Sequence, residues 1–106
     1  MDEARPLDIE MGATGDVRVV RLGGELDLAS VPRLTEFLEE AAAPSVILDL
    51  SGLAFIDSSG VAALVRAQEQ MDEGGQTLTL TRPSHTVARV FEILGISYLL
   101  EIDTSD

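Results

Sequence analysis

Apolar and polar positions along this chain follow two rhythms, one of period two and one of three to four. Leu7-Asp8-Ile9-Glu10-Met11 alternates apolar and acidic residues, which predicts a half-exposed strand. Gly12-Ala13-Thr14-Gly15-Asp16 carries turn chemistry. The Val-rich run from Val17 to Leu22 predicts a second strand, in a hairpin with the first, and Gly23-Gly24 is expected to break it. Leu34, Phe37, Leu38 and Ala41 recur at helical spacing after a Ser30 cap and Pro32, with Pro44 ending the helix. Val46-Ile47-Leu48-Asp49-Leu50 is nearly all apolar, as a strand covered on both faces should be. Ser51 to Phe55 reads as a short connection. Val61, Leu64, Val65, Gln68 and Met71 make the stripe of a second helix that starts at Ser58 or Ser59 and stops at Gly74-Gly75. Thr77 to Thr81 alternates strictly and predicts a strand. Ser84 caps a third helix whose face is Val87, Val90, Phe91 and Leu94. Gly95 suits the left-handed position after it, with Ile96 packing back. Tyr98 to Ile102 is expected to be a last short strand.

Strands that alternate with helices imply crossovers and a mostly parallel sheet. The expected fold is therefore α/β: a mixed sheet of about five strands, an antiparallel N-terminal hairpin, and helices packed against the sheet. Residues 1–6 read as a loose terminus, 7–102 as the domain and 103–106 as a tail.

Length and composition narrow the function. The 106 residues fit one domain, which should bury roughly 65% of its unfolded surface. Aromatic residues are few, so Leu, Ile, Val and Ala must build the core. Cys is absent, which excludes disulfides and thiolate metal sites. The start, Met1-Asp2-Glu3, lacks the basic and apolar stretches of a secretory signal, and the expected compartment is the cytoplasm. A net charge of −12 disfavours nucleic acid and anionic membrane as partners and favours a basic protein patch. All seven basic residues are Arg. Without Lys, a phosphate loop of the Gly-rich, Lys-ending type cannot form, and a receiver-like phospho-aspartate site is disfavoured.

The candidate chemistry sits where the apolar strand runs into the second helix, at Asp57-Ser58-Ser59-Gly60. Loops at the carboxyl end of a strand are the usual functional position in α/β sheets. A helix start offers unpaired N–H groups and partial positive charge, so a phosphate there is stabilised. A serine hydroxyl on an exposed loop is accessible, and Gly60 lets another backbone come close. The same four residues also make an ordinary helix cap. A second segment, Gly23-Gly24-Glu25-Leu26-Asp27-Leu28, again follows a strand and precedes a helix. If the two strands are neighbours, Asp27 lies on the same rim as Ser58. Asp49 reads as a structural hydrogen-bond acceptor near its strand end. His85, the single histidine, follows the Ser84 cap and should be exposed and inert. The strained nucleophile turn of serine hydrolases has Gly two residues before its Ser, and here that place is Ile56. Glu25, Asp27 and Asp57 match no metal-binding loop. No cofactor is expected.

Three ordered segments carry a resemblance. They are Leu22-Gly23-Gly24-Glu25-Leu26-Asp27, then Val46 to Gly52 leading into Phe55-Ile56-Asp57-Ser58-Ser59-Gly60, and Pro83-Ser84 through Phe91 to Leu94-Gly95. Over about residues 7–102 the chain resembles the STAS family, specifically the bacterial anti-sigma factor antagonists. The resemblance implies a partner-switching cycle. The first serine of the pair, by position Ser58, would be phosphorylated by an anti-sigma factor with kinase activity. The unmodified form would bind that factor and free the sigma factor, and a serine phosphatase would reverse the mark. Asp27, Asp57, Ser59 and Gly60 would carry over as contact residues. ATP and Mg²⁺ belong to the kinase. Ala62 stands where the family often has Gly, and the family's final helix would be missing or replaced. Other STAS domains are scaffold modules in regulatory or transport assemblies without this phosphorylation.

Overall fold

The computed structural model describes residues 6–41 and 43–101. The expected loose terminus apart from Pro6, Ile102 at the end of the expected domain, and the expected tail 103–106 lie outside the described residues. The element order is β1 (Asp8–Thr14), β2 (Val17–Leu26), α1 (Val31–Glu40), β3 (Ser45–Ile56), α2 (Ser58–Glu73), β4 (Thr77–Thr81), α3 (His85–Ile93), a 3₁₀ turn (Ser97–Leu99) and β5 (Leu100–Glu101). The five strands form one sheet in the order β1-β2-β3-β4-β5. β1 pairs antiparallel with β2, and every other pair is parallel. The expected mixed sheet and its hairpin are therefore present. No helix among the described residues is long and apolar enough to cross a membrane.

Register decides which side chains meet. Val20, Leu48, Leu80 and Leu100 line up across four strands, and each is buried. Leu34 and Leu38 of α1, Val61, Leu64 and Met71 of α2, and Val87 and Phe91 of α3 join the same core. Each fully buried Leu or Phe stabilises the fold by roughly 1.5–3 kcal/mol relative to exposure. The core is mostly aliphatic, as composition requires, but its largest fully buried side chain is Phe91. Leu94, expected on the buried face of α3, is 52% exposed, because the helix ends at Ile93. Gly95 then takes φ +75, and the Ile96 N–H bonds to the Phe91 carbonyl, which closes the turn as expected.

Several boundaries differ from the sequence reading, each for a local reason. β1 continues through Thr14, and the hairpin turn is only Gly15-Asp16, with Gly15 at φ +62. α1 stops at Glu40, before Pro44 is reached. Tyr98 belongs to the 3₁₀ turn, which leaves Leu100–Glu101 as the strand. The largest difference is at the centre. Gly23-Gly24 does not break β2, and Ser51 to Phe55 is not a connection: both strands run on to Leu26 and Ile56 through register shifts. A Cβ on Gly52 would lie 2.8 Å from the Leu22 carbonyl oxygen and 3.2 Å from the Gly23 Cα. These glycines let the paired backbones come close where the register slips, so they mark bulges within strands.

Asp49 is the buried charged residue among those described, at 4% exposure. The extension of β3 places it mid-strand, directly opposite Arg21. Its Oδ1 accepts from the Ser51 N–H at 2.8 Å. Its Oδ2 lies 3.6 Å from Arg21 Nε and 3.4 Å from Arg82 Nε. Burial alone would raise its pKa, but hydrogen bonding from Ser51 and the Arg82 and Arg21 charges outweigh burial and hold it below the ordinary value. A carboxyl depressed in this way stabilises the fold above about pH 4, and the contribution disappears as pH falls through the folded-state value. Asp49→Asn should therefore lower stability by roughly 1–2 kcal/mol at neutral pH. The gap to the native chain should narrow below about pH 4. Urea titrations of both forms across pH 2–7 check this, and a gap that stays constant into acid contradicts it.

Candidate functional site

The extended β2 and β3 end side by side, with Leu26 opposite Ile56, so the loops that follow them share one corner of the sheet. A backbone bond from the Asp57 N–H to the Leu26 carbonyl, 3.2 Å, closes the corner. Leu26 and Ile56 point into the core at 0% and 4% exposure, which anchors both loops from beneath.

Asp57 is the N-cap of α2, in extended conformation. Its Oδ1 accepts from the Gly60 N–H at 2.9 Å, satisfying one of the donors that a helix start leaves open. Its Oδ2 accepts from the Leu28 N–H at 3.2 Å, across a sequence separation of 29. One carboxylate thus ties the two loops together. Ser58 and Ser59 form the first two positions of α2, and Ser58 is exposed while Ser59 is half-buried. Gly60 is buried. A Cβ there would meet the Leu26 carbonyl oxygen at 2.6 Å and Ile56 Cγ1 at 2.9 Å. The close approach that Gly60 permits is to Leu26 of this chain.

The second loop is built around Asp27 and Ser30. The Ser30 N–H donates to Asp27 Oδ1 at 3.0 Å, and the Asp27 N–H donates to Ser30 Oγ at 3.0 Å. Ser30 Oγ also lies 3.2 Å from the Glu25 carbonyl. Ser30 therefore does not cap α1 with its side chain, as the sequence suggested: its hydroxyl turns back to Asp27, and its backbone is already helical at φ −97, ψ −12. Asp27 is half-buried and stands on the same rim as Asp57, as adjacency of the strands requires. The reciprocal Asp27–Ser30 pair is legible only in retrospect, as an acid and a serine three residues apart.

Two residues at this corner belong to segments that the sequence singled out but were given no role there. Leu28, whose amide Asp57 holds, is 71% exposed, and Phe55 is 44% exposed. Phe55 lies just past a register shift, opposite Glu25. His85 is exposed at the first position of α3. Among the described residues no group of His, Cys, Asp and Glu is arranged to hold a metal ion, and Glu25, Asp27 and Asp57 are not brought together as one.

The family described as Mlab, STAS domain, matches residues 9–101. The chain is 28% identical over 100 residues to an anti-sigma-B factor antagonist of Staphylococcus epidermidis, a match that spans 92% of this chain and 93% of that relative. Its fold is similar to the anti-sigma factor antagonist SpoIIAA in its unphosphorylated form, with a TM-score of 0.72 and 27% identity over 93% of this chain and 89% of that one. The phosphorylated form of SpoIIAA from Bacillus gives a TM-score of 0.66 at 26% identity, covering 93% and 92% of the two chains. With the STAS model matching residues 9–101, nearly the whole sheet and all three helices, the chain belongs to the STAS domain family.

Proposed function

We propose that this chain is an anti-sigma factor antagonist, a binding module whose state is set by phosphorylation of Ser58. The observation that carries the reading is the corner itself. An exposed serine opens α2, on a cap that Asp57 fixes to the neighbouring loop. The likeness to SpoIIAA, solved both with and without phosphate, supports it. In this reading the unmodified form binds an anti-sigma factor and frees its sigma factor. The anti-sigma factor is also the serine kinase, a phosphatase restores the hydroxyl, and the cycle runs in the cytoplasm. Asp27, Asp57 and Ser59 form the contact rim, and Gly60 serves it by letting α2 start close against β2. Neither nucleic acid nor membrane is a partner, in keeping with the charge of −12.

The switch acts on the interface and leaves the fold intact. A phosphoserine carries about −1.5 to −2 charge at neutral pH. At the start of α2 this charge favours the helix by roughly 0.3–1 kcal/mol. At an interface the dianion must be desolvated beside Asp57 and near Asp27, against a surface shaped for a neutral hydroxyl. A loss of about 3 kcal/mol weakens binding roughly 100-fold. Ser58→Asp should accordingly melt within a few degrees of the native chain and bind the anti-sigma factor poorly, whereas Ser58→Ala should bind normally. Incubation with the source organism's anti-sigma factor kinases and MgATP, followed by mass spectrometry, tests the assignment. One phosphoryl group on Ser58, absent from Ser58→Ala, supports it. A chain that stays unmodified with every kinase points to the scaffold role instead.

A further inference from the structure

The corner around Ser58 exposes more apolar surface than a helix cap requires. Leu28 and Phe55 are both large and both open to solvent. Neither hangs on a slack loop. The Leu28 amide is held by Asp57 Oδ2, and Leu28 lies inside the turn that Asp27 and Ser30 close. Phe55 lies within β3, paired with Glu25, where the register shift after Leu53 resets the strand. Side chains presented by fixed backbone lose little conformational freedom when a partner covers them, so more of their buried area appears as affinity. Aromatic side chains in such settings are the ones most often found to dominate an interface.

The charged residues next to them are acidic. Glu25 pairs with Phe55 across the strands, Asp27 adjoins Leu28 in the chain, and the Asp57 carboxylate holds the Leu28 amide, while Arg21, Arg33 and Arg66 stand further out along the same elements. Acids beside exposed apolar side chains are complementary to a surface of opposite pattern.

We propose that Leu28 and Phe55 are the apolar anchors by which this corner holds its anti-sigma factor, and that the facing surface is an apolar hollow edged by arginine or lysine. The proposal rests on the functional reading above and adds where the affinity comes from. The edge charges meet Glu25, Asp27 and Asp57 and speed association. The hollow takes the two anchors. Ser58 shares the corner with them, so its phosphate would be carried toward apolar surface, where a dianion is poorly tolerated.

Calorimetric titration against purified anti-sigma factor kinases of the source organism tests this, using the native chain, Leu28→Ala, Phe55→Ala and Tyr98→Ala. Tyr98 is also exposed, at 79%, but lies on the 3₁₀ turn after α3 and serves as the control. Each corner variant should bind about tenfold more weakly or worse. Tyr98→Ala should bind as the native chain does, and the native association rate should fall as salt rises. Should Phe55→Ala fold poorly, Leu28→Glu, at an exposed loop position, gives the same readout. If the native chain is bound and phosphorylated while both corner variants bind equally well, the anchors are wrong and the functional reading survives. If the native chain binds none of the kinases, the functional reading and the anchors fall together.

Discussion

Gly60→Ala should lower the melting temperature by roughly 10 °C, one of the largest stability losses available to a single methyl group in this chain. The added Cβ would lie 2.6 Å from the Leu26 carbonyl oxygen, 2.9 Å from Ile56 Cγ1 and 3.0 Å from Leu26 Cγ. A side chain in the way can change rotamer, but the Leu26 carbonyl belongs to paired backbone and already accepts from the Asp57 N–H. Relief therefore requires α2 to lift away from β2, which opens the core beneath Leu26 and Ile56. Overpacking of this kind costs typically about 1–3 kcal/mol. The better helix propensity of alanine, worth about 1 kcal/mol, offsets only part of it. Gly12→Ala is the control, because nothing lies within 4 Å of its Cβ position, and its effect should stay within about 0.5 kcal/mol. Thermal melts of the two variants decide the matter: a Gly60→Ala form that melts with the native chain would mean that the helix start is not packed as described.

Asp57→Ala should cost about 2 kcal/mol and loosen both loops at once. Loss of an N-cap acceptor alone is worth about 1 kcal/mol. Here the second carboxylate oxygen also holds Leu28, so a purely local change at α2 reaches the loop that precedes α1. Asp57→Asn keeps an acceptor for the Gly60 N–H and should lose less. Chemical denaturation measures the total, and amide exchange divides it. The Gly60 and Leu28 amides should both exchange faster in Asp57→Ala, while those of β4 should change little. Faster exchange at Gly60 alone would mean that the two loops are not coupled through this carboxylate. Because the proposed contact surface spans both loops, the same variant should bind the anti-sigma factor less well than its stability alone explains.

Much of this architecture can be read from residue order, and the exceptions share a cause. The stripe from Val61 to Met71 and the alternation of Thr77 to Thr81 report their elements directly, because one side chain in two or in three and a half meets the core. The second half of β3 defeats this reading. Across Ser51-Gly52-Leu53-Ala54-Phe55 the register slips against β2, so the buried positions no longer alternate and the glycines look like an end. At the candidate site, a helix start at Asp57-Ser58-Ser59-Gly60 with an accessible serine was legible, since it depends on neighbours in the chain, but that Asp57 supplies the cap is seen only in the structure. The Asp57–Leu28 bond was not, because it joins residues 29 apart and exists only once β2 and β3 have paired. Ser30 shows the reverse: its type and position suit a cap, but tertiary placement gives its hydroxyl a better partner in Asp27. Gly60 was expected to leave room for another molecule, whereas the room is taken by β2.

The most direct measurement compares the affinity of one anti-sigma factor for the unmodified chain and for the chain phosphorylated on Ser58. The phosphorylated form should bind at least about 100-fold more weakly while its melting temperature stays within a few degrees of the unmodified form. Equal affinities, or a loss of binding that comes with a loss of fold, would contradict a switch that works by charge at an intact surface.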